Sequence, residues 1–115
     1  MSKHQGSCHC GRVQFEVDTD LAMTARCNCS MCRRKGAVMS MVDADAFKLL
    51  SGEQDLGLYQ FHTNVAKHYF CKHCGVYTHH RPRRTPEKYA FNVGCLDDVD
   101  VFALQPKVLD GASMD

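Results

Sequence analysis

A small, mainly β domain is expected from three features of the sequence. Short runs alternate apolar and polar residues, turn-forming residues separate those runs at close intervals, and helical apolar spacing is weak throughout. The 115 residues suit a single domain spanning 1–115. With 44% hydrophobic and 23% charged residues, the composition is that of a folded globular chain rather than a disordered one.

Val13, Phe15 and Val17 alternate with Arg12, Gln14 and Glu16, the pattern of a strand with one buried face. Asn28 and Ser30 are good N-caps for one or two helical turns, and Asp43 for another. Ala37 to Val42 is a nearly continuous apolar stretch, a candidate central strand. Phe47 to Leu50 is a short strand ended by the turn signal Ser51-Gly52-Glu53. Leu56 to Phe61 and Ala66 to Phe70 follow, with Asn64 turning the chain between them. Val76 to Arg81 and Tyr89 to Val93 complete the set, and Pro82 and Pro86 bound the loop that joins them. The tail from Gly111 to Asp115 is expected to fray.

Lys plus Arg total 14 against 13 for Asp plus Glu, a formal charge of +1. That balance excludes the basic excess of a nucleic-acid binder and the acidic excess of a solvating tail, so nucleic acid is not an expected partner. No apolar run approaches the roughly 18 residues of a membrane span. Met1-Ser2-Lys3-His4-Gln5 has no apolar stretch behind it. No secretory signal is therefore expected, and a cytoplasmic, reducing location is.

Eight cysteines carry the chemistry. They fall as Cys8-x-Cys10, Cys27-x-Cys29-x-x-Cys32, Cys71-x-x-Cys74 and a lone Cys95. Close clusters bring several thiolates to one point, as a metal requires and as disulfides do not. Cys8 and Cys10 with Cys71 and Cys74 supply four sulfurs, the complement of a closed, structural zinc site. A glycine follows each pair, at Gly11 and Gly75, where positive φ lets the backbone fold tightly around an ion.

Cys27, Cys29 and Cys32 supply only three sulfurs. A tetrahedral ion held by three ligands keeps one corner for water or substrate, as catalytic zinc does. Three thiolates leave such a centre net negative, hence a weaker Lewis acid than a tris-histidine zinc but a ready holder of soft sulfur. A free thiol is mostly protonated at neutral pH, and coordination deprotonates it. An open trio therefore suits activation of a thiol better than hydrolysis. Cys95, Ser30, His9 or His73 could instead close the corner and leave a second structural site.

Arg33, Arg34 and Lys35 follow the trio, and Arg81, Arg83 and Arg84 form another basic group. They could offset zinc–thiolate charge, and Arg forks are suited to substrate carboxylates. Arg33 and Arg34 are the candidate substrate contacts. His79 and His80 are neighbours that a strand would turn to opposite sides, and His4, His62 and His68 lack ligand spacing. No histidine is assigned a catalytic role, although His73 sits where it could tune the site around it.

Several segments together resemble a known family. Gly6-Ser7-Cys8-His9-Cys10-Gly11 with Val13 and Phe15 is similar to the opening of the GFA family, the glutathione-dependent formaldehyde-activating enzymes and their centromere protein V relatives. The likeness continues at Cys27-Asn28-Cys29-Ser30-Met31-Cys32-Arg33-Arg34 and Gly36, at Leu50-Ser51-Gly52, and at Tyr59. It returns at Tyr69-Phe70-Cys71-Lys72-His73-Cys74-Gly75 and closes at Asn92-Val93-Gly94-Cys95-Leu96-Asp97. The resemblance implies a β-tent architecture of small antiparallel sheets around zinc. It implies two zinc ions per chain, a structural one on Cys8, Cys10, Cys71 and Cys74 and a second on Cys27, Cys29 and Cys32 with an exchangeable fourth ligand. The second ion, held by three residues, can be partly vacant. It further implies a carbon–sulfur lyase that joins glutathione and formaldehyde, or cleaves their adduct. The competing expectation is a non-catalytic zinc module that binds a protein or nucleic acid through a closed trio.

Overall fold

The computed structural model describes residues 2–113 and is mainly β, with 43% of residues in strands and 19% helical. Its strands are β1 (Ser2–Ser7), β2 (Gln14–Thr19), β3 (Ala25–Cys27), β4 (Met39–Asp43), β5 (Phe47–Ser51) and β6 (Leu56–Tyr59). They continue with β7 (Lys67–Cys71), β8 (Tyr77–Arg81), β9 (Lys88–Asn92) and β10 (Lys107–Leu109). One α-helix, α1 (Ser30–Lys35), lies between β3 and β4. Strands β1, β2 and β5 form a three-stranded antiparallel sheet in the order β1-β2-β5. The other seven pair in the order β10-β3-β4-β9-β8-β7-β6, antiparallel except for the parallel pair β10 and β3. No helix among the described residues is long and apolar enough to cross a membrane.

The alternation in β2 works as expected. Phe15 and Val17 are buried, Gln14 is exposed, and Val13 is buried just ahead of the strand. The apolar stretch from Ala37 begins its strand only at Met39, and β4 is central, between β3 and β9. The helix is capped by neither Asn28 nor Ser30. Cys29 is the N-cap, its Sγ accepting from the Cys32 N–H at 3.2 Å, and the Gly36 N–H bonds the Cys32 carbonyl at the other end. After Asp43 the chain makes a single 3-10 turn over Ala44–Ala46, without a side-chain cap.

The tail is the clearest departure from expectation. Of the tail expected to fray, Gly111–Ser113 instead form a 3-10 turn that follows β10 against the middle of the chain, while Met114 and Asp115 lie outside the described residues. Strand β10 lies along β3, and the Asn28 N–H bonds the Leu109 carbonyl at 3.1 Å. The Asn28 side chain donates to Asp110 Oδ1 at 3.0 Å and accepts from the Ala112 N–H at 2.9 Å. One amide thus satisfies both neighbours of Gly111, which a local reading of a polar tail could not anticipate.

The two sheets share a core of Phe15, Val17, Phe47, Phe91, Val93, Cys95 and Leu96. Rings stack through it, Phe15 on Phe47 at 5.2 Å between centroids and Phe47 on Tyr89 at 4.6 Å. His79 belongs to this aromatic layer. It is 3% exposed, stacks on Tyr69, lies against Phe47, and accepts a hydrogen bond from the Thr78 hydroxyl at 2.8 Å.

Burial, aided by the Arg81 charge, pushes the His79 imidazole down to about 4 from its ordinary 6.5. The folded state keeps this group neutral, so its contribution is full above the unfolded value and is lost as pH falls through the folded one. With zinc in excess, the urea-unfolding free energy should decline between pH 6.5 and 4. The variant H79Q should decline less steeply, by about 1 kcal/mol per pH unit. Acid release of zinc is common to both proteins and cancels in that comparison; equal slopes would mean that folded His79 titrates normally.

Candidate metal centres

The turn joining β1 to β2 and the turn joining β7 to β8 are built alike. In the first, the Cys8 N–H bonds the Val13 carbonyl at 3.0 Å; in the second, the Cys71 N–H bonds the Val76 carbonyl at 3.0 Å, the same five-residue reach. Gly11 and Gly75 take φ of +83° and +78°, a region that penalises any residue with a Cβ. Their own N–H groups bond the Cys8 and Cys71 carbonyls. Among the donors aimed at sulfur are the Val13 N–H to Cys8 Sγ and the His73 N–H to Cys71 Sγ, both at 3.4 Å.

These turns come from different sheets and bring four thiols together. The Sγ atoms of Cys8, Cys10, Cys71 and Cys74 lie within 4.8 Å of one another. Cys10 Sγ is 3.6 Å from that of Cys8 and 3.7 Å from that of Cys71. Four sulfurs about 2.3 Å from a tetrahedral zinc stand roughly 3.8 Å apart, so the donor set fits such an ion. Hydrogen bonds from the Arg12 backbone and guanidinium hold the exposed Cys10 thiol below its ordinary range. Arg12 is thus a cation at this cluster, while Lys35, from the group that follows the trio, acts on Cys32 and Cys29. Arg81 instead donates to the Pro86 carbonyl and the Tyr89 hydroxyl. His73 Nε2 donates to Asp55 Oδ1 at 2.8 Å.

The second cluster stands at the end of β3 and the first turn of α1. The Sγ atoms of Cys27, Cys29 and Cys32 also lie within 4.8 Å of one another. Burial pushes the Cys32 thiol up to about 12, so it requires a cation beside it to ionise at neutral pH. Cys95 does not join this group. It is buried in the core, its Sγ donating to the Tyr77 carbonyl at 3.6 Å, and burial raises its pKa to about 12. Among the described residues the trio gathers no fourth Cys, His, Asp or Glu donor.

Gly111 closes over this cluster from the C-terminal segment. A Cβ at that position would overlap Cys27 Sγ and press on the Cys29 Cβ. Gly111→Ala should therefore weaken metal binding at the trio by roughly tenfold, the scale of lost outer-shell support. Zinc retention against a graded chelator would show one site weakened and the four-thiol site unchanged; two unchanged sites would contradict the packing.

Beyond the trio, α1 turns Met31 and Lys35 into a cleft of about 370 Å³. Tyr59, His68, Tyr69, Phe70, Gly75 and Tyr77 complete its wall. The pairing of β7 with β8 sets His68 opposite His80, ring centroids 5.0 Å apart. Lys35 Nζ donates to His68 Nδ1 at 2.8 Å and sits 3.7 Å from the centre of the Tyr77 ring. Tyr77 in turn donates to His80 Nδ1 at 2.5 Å. Burial lowers Lys35 to about 8 and, with the Lys35 charge, His68 to about 4. Sequence reasoning missed this group. Its one legible sign was the spacing of Lys35 from Cys32, which puts both on one helix face. Arg33 and Arg34 are exposed on α1 and do not line the cleft, and Arg34 donates to the Ser30 carbonyl at 2.8 Å.

Two sheets joined at a four-thiol cluster, with a three-thiol cluster apart from it, define a β protein able to hold metal at two cysteine centres. Residues 3–109 match the model of the family described as glutathione-dependent formaldehyde-activating enzyme, GFA, and the chain belongs to that family. A Halomonas elongata protein named "Putative glutathione-dependent formaldehyde-activating enzyme" is 32% identical over 80 residues, covering 61% of this chain and 50% of its own length. The chain thus spans about half the length of that curated relative. The crystal structure of a Rhodobacter sphaeroides protein superposes with a TM-score of 0.87 at 42% identity, over 91% of this chain and 98% of that one.

Proposed function

We propose that this chain is a zinc-dependent enzyme of carbon–sulfur lyase type, which activates a small thiol for addition to an aldehyde or for release from it. The observation that carries this reading is the trio of Cys27, Cys29 and Cys32, gathered without a fourth Cys, His, Asp or Glu donor among the described residues. Family membership favours glutathione as the thiol and formaldehyde as the aldehyde. The whole chain is read as one GFA-like domain of β-tent architecture working in the cytoplasm, where eight free thiols stay reduced.

In this reading Cys8, Cys10, Cys71 and Cys74 hold a structural zinc, and Cys27, Cys29 and Cys32 hold a second one. When bound there, that zinc would keep an incoming thiol ionised as its thiolate. The chain's own residues do the rest. Cys29 holds the first turn of the helix as its cap, Asn28 ties the C-terminal segment across the cluster, and Gly111 leaves room for Cys27. Arg33 and Arg34 are the exposed cations available to carboxylates of a substrate reaching beyond the cleft.

The test is exchange between free glutathione, formaldehyde and their adduct, followed by carbon-13 exchange NMR with and without zinc-loaded protein. Exchange faster than the uncatalysed background is expected, as is a shift in the absorption of cobalt-substituted protein on adding glutathione. A metal-replete protein that alters neither would leave the alternative, a zinc module for binding a partner.

A further inference from the structure

We propose that the cleft beside the trio is the subsite for the carbonyl partner, that it takes aldehydes with an apolar body, and that Lys35 Nζ binds and protonates the carbonyl oxygen. This rests on the carbon–sulfur reading above and specifies its second substrate.

The position of the cleft argues for it. Helix α1 carries Cys32 and its capping Cys29 as well as the cleft residues Met31 and Lys35, and Gly75 and Tyr77 adjoin the other cysteine cluster. Cys32 and Lys35 are three apart on that helix, hence neighbours on one face at about 5–6 Å between Cβ atoms. Lys35 and Cys32 thus leave α1 on the same side, and Lys35 interacts electrostatically with Cys32 and Cys29, which sets a carbonyl at Nζ on the trio's side of the helix.

Size and chemistry select the ligand. About 370 Å³ is ample for a six-carbon body and far exceeds what the two heavy atoms of formaldehyde require. The wall is chiefly aromatic and aliphatic, which opposes a peptide carrying two carboxylates and an ammonium and favours an apolar group. Lys35 is the one cation in that wall, and no carboxylate faces it there. An ammonium has three donors. One goes to His68, the Tyr77 face takes the charge from one side, and a donor is left for an oxygen in the cleft. His68 and Tyr77, themselves fixed by His80, hold Nζ in place.

The step balances. The thiolate sulfur donates the pair that forms the C–S bond, the carbonyl π pair moves to oxygen, and Nζ gives that oxygen a proton. Lys35 recovers from solvent the proton the thiol released on ionising. The net reaction is thiol plus aldehyde to hemithioacetal, and the reverse runs through the same groups.

Three of the four tyrosines, Tyr59, Tyr69 and Tyr77, line the cleft, and the chain has no tryptophan, so tyrosine fluorescence reports its occupancy. Zinc-loaded protein would be titrated with cyclohexanecarboxamide, an unreactive carbonyl compound, and with formamide. A saturable change is expected for the first at concentrations where the second gives none. Lys35→Met should weaken that binding about tenfold or more, as loss of a hydrogen bond to a charged donor does. It should lower kcat/KM for cyclohexanecarbaldehyde by at least as much, with zinc content unchanged.

No saturable signal in the wild type, or equal binding by K35M, overturns the proposal. So does a Lys35-dependent signal from glutathione alone, which would make the cleft a thiol-substrate site. Amide binding through Lys35 without any acceleration of adduct exchange would keep the subsite and sink the carbon–sulfur reading. Acceleration with formaldehyde that ignores Lys35 would do the opposite.

Discussion

Cys71→Ser is expected to leave the chain unfolded even with zinc in excess. Cys71 is fully buried, and its sulfur sits 3.7 Å from that of Cys10, a residue 61 positions away in sequence. The ion these thiols are proposed to hold joins the β1–β2 turn of one sheet to the β7–β8 turn of the other. Structural zinc binding contributes on the order of 10 kcal/mol, and a domain of this size is stable by roughly 5–15 kcal/mol in all. A hydroxyl is a poor substitute for a thiolate on this ion, so little of that contribution survives. Far-UV circular dichroism and amide NMR dispersion should show a disordered chain, and metal analysis should show loss of the structural ion. A folded, dispersed C71S protein would mean that the aromatic core alone holds the sheets together.

Cys32→Ala should do the reverse, abolishing activity while sparing the fold. Helix α1 has no fully buried residue, Cys32 being half-buried, and the trio stands away from the core cluster of Phe15, Phe47 and Phe91. Loss of Cys32 removes one of three ligands but leaves the Cys29 cap, whose bond goes to the backbone N–H of residue 32 and not to its side chain. One zinc per chain should remain instead of two, with Tm shifted by only a few degrees, as about 1 kcal/mol would do. Acceleration of thiol–aldehyde exchange should fall by more than about 100-fold, since loss of support one shell further out already costs roughly 10–100-fold. Cys29→Ala is the less clean variant because it removes a ligand and a helix cap together. Full activity in C32A would detach the proposed chemistry from the trio.

Cys71→Ser and Cys32→Ala differ because the clusters occupy different places in the chain's topology. Both are visible in the sequence as spacings of two and three residues. The four-thiol cluster bridges two sheets, whereas the trio lies on one short segment, strapped by Asn28, Asp110 and Gly111. The 61 positions between Cys10 and Cys71 mark the first as a long-range link, but not which sheets it joins. The count of donors, four against three, set the two roles apart and the family resemblance agreed; the sheet pairing explains why removing one should cost the fold and removing the other should not.

Local pattern alone determined the run of short strands from Gln14 onward and the three cysteine groups, because a period of two and a ligand spacing of two or three are properties of neighbouring residues. It was silent on β1, whose Ser-Lys-His-Gln-Gly-Ser has no apolar alternation, and on the three-residue strands β3 and β10. Only the tertiary structure decided that Cys95 belongs to the core, that residues 107–113 cover the trio, and that Lys35 meets a histidine 33 positions away. Each of these follows from which strands lie side by side. Strand order is fixed by burial of the whole chain at once, and it leaves no trace in the residues on either side of any one contact.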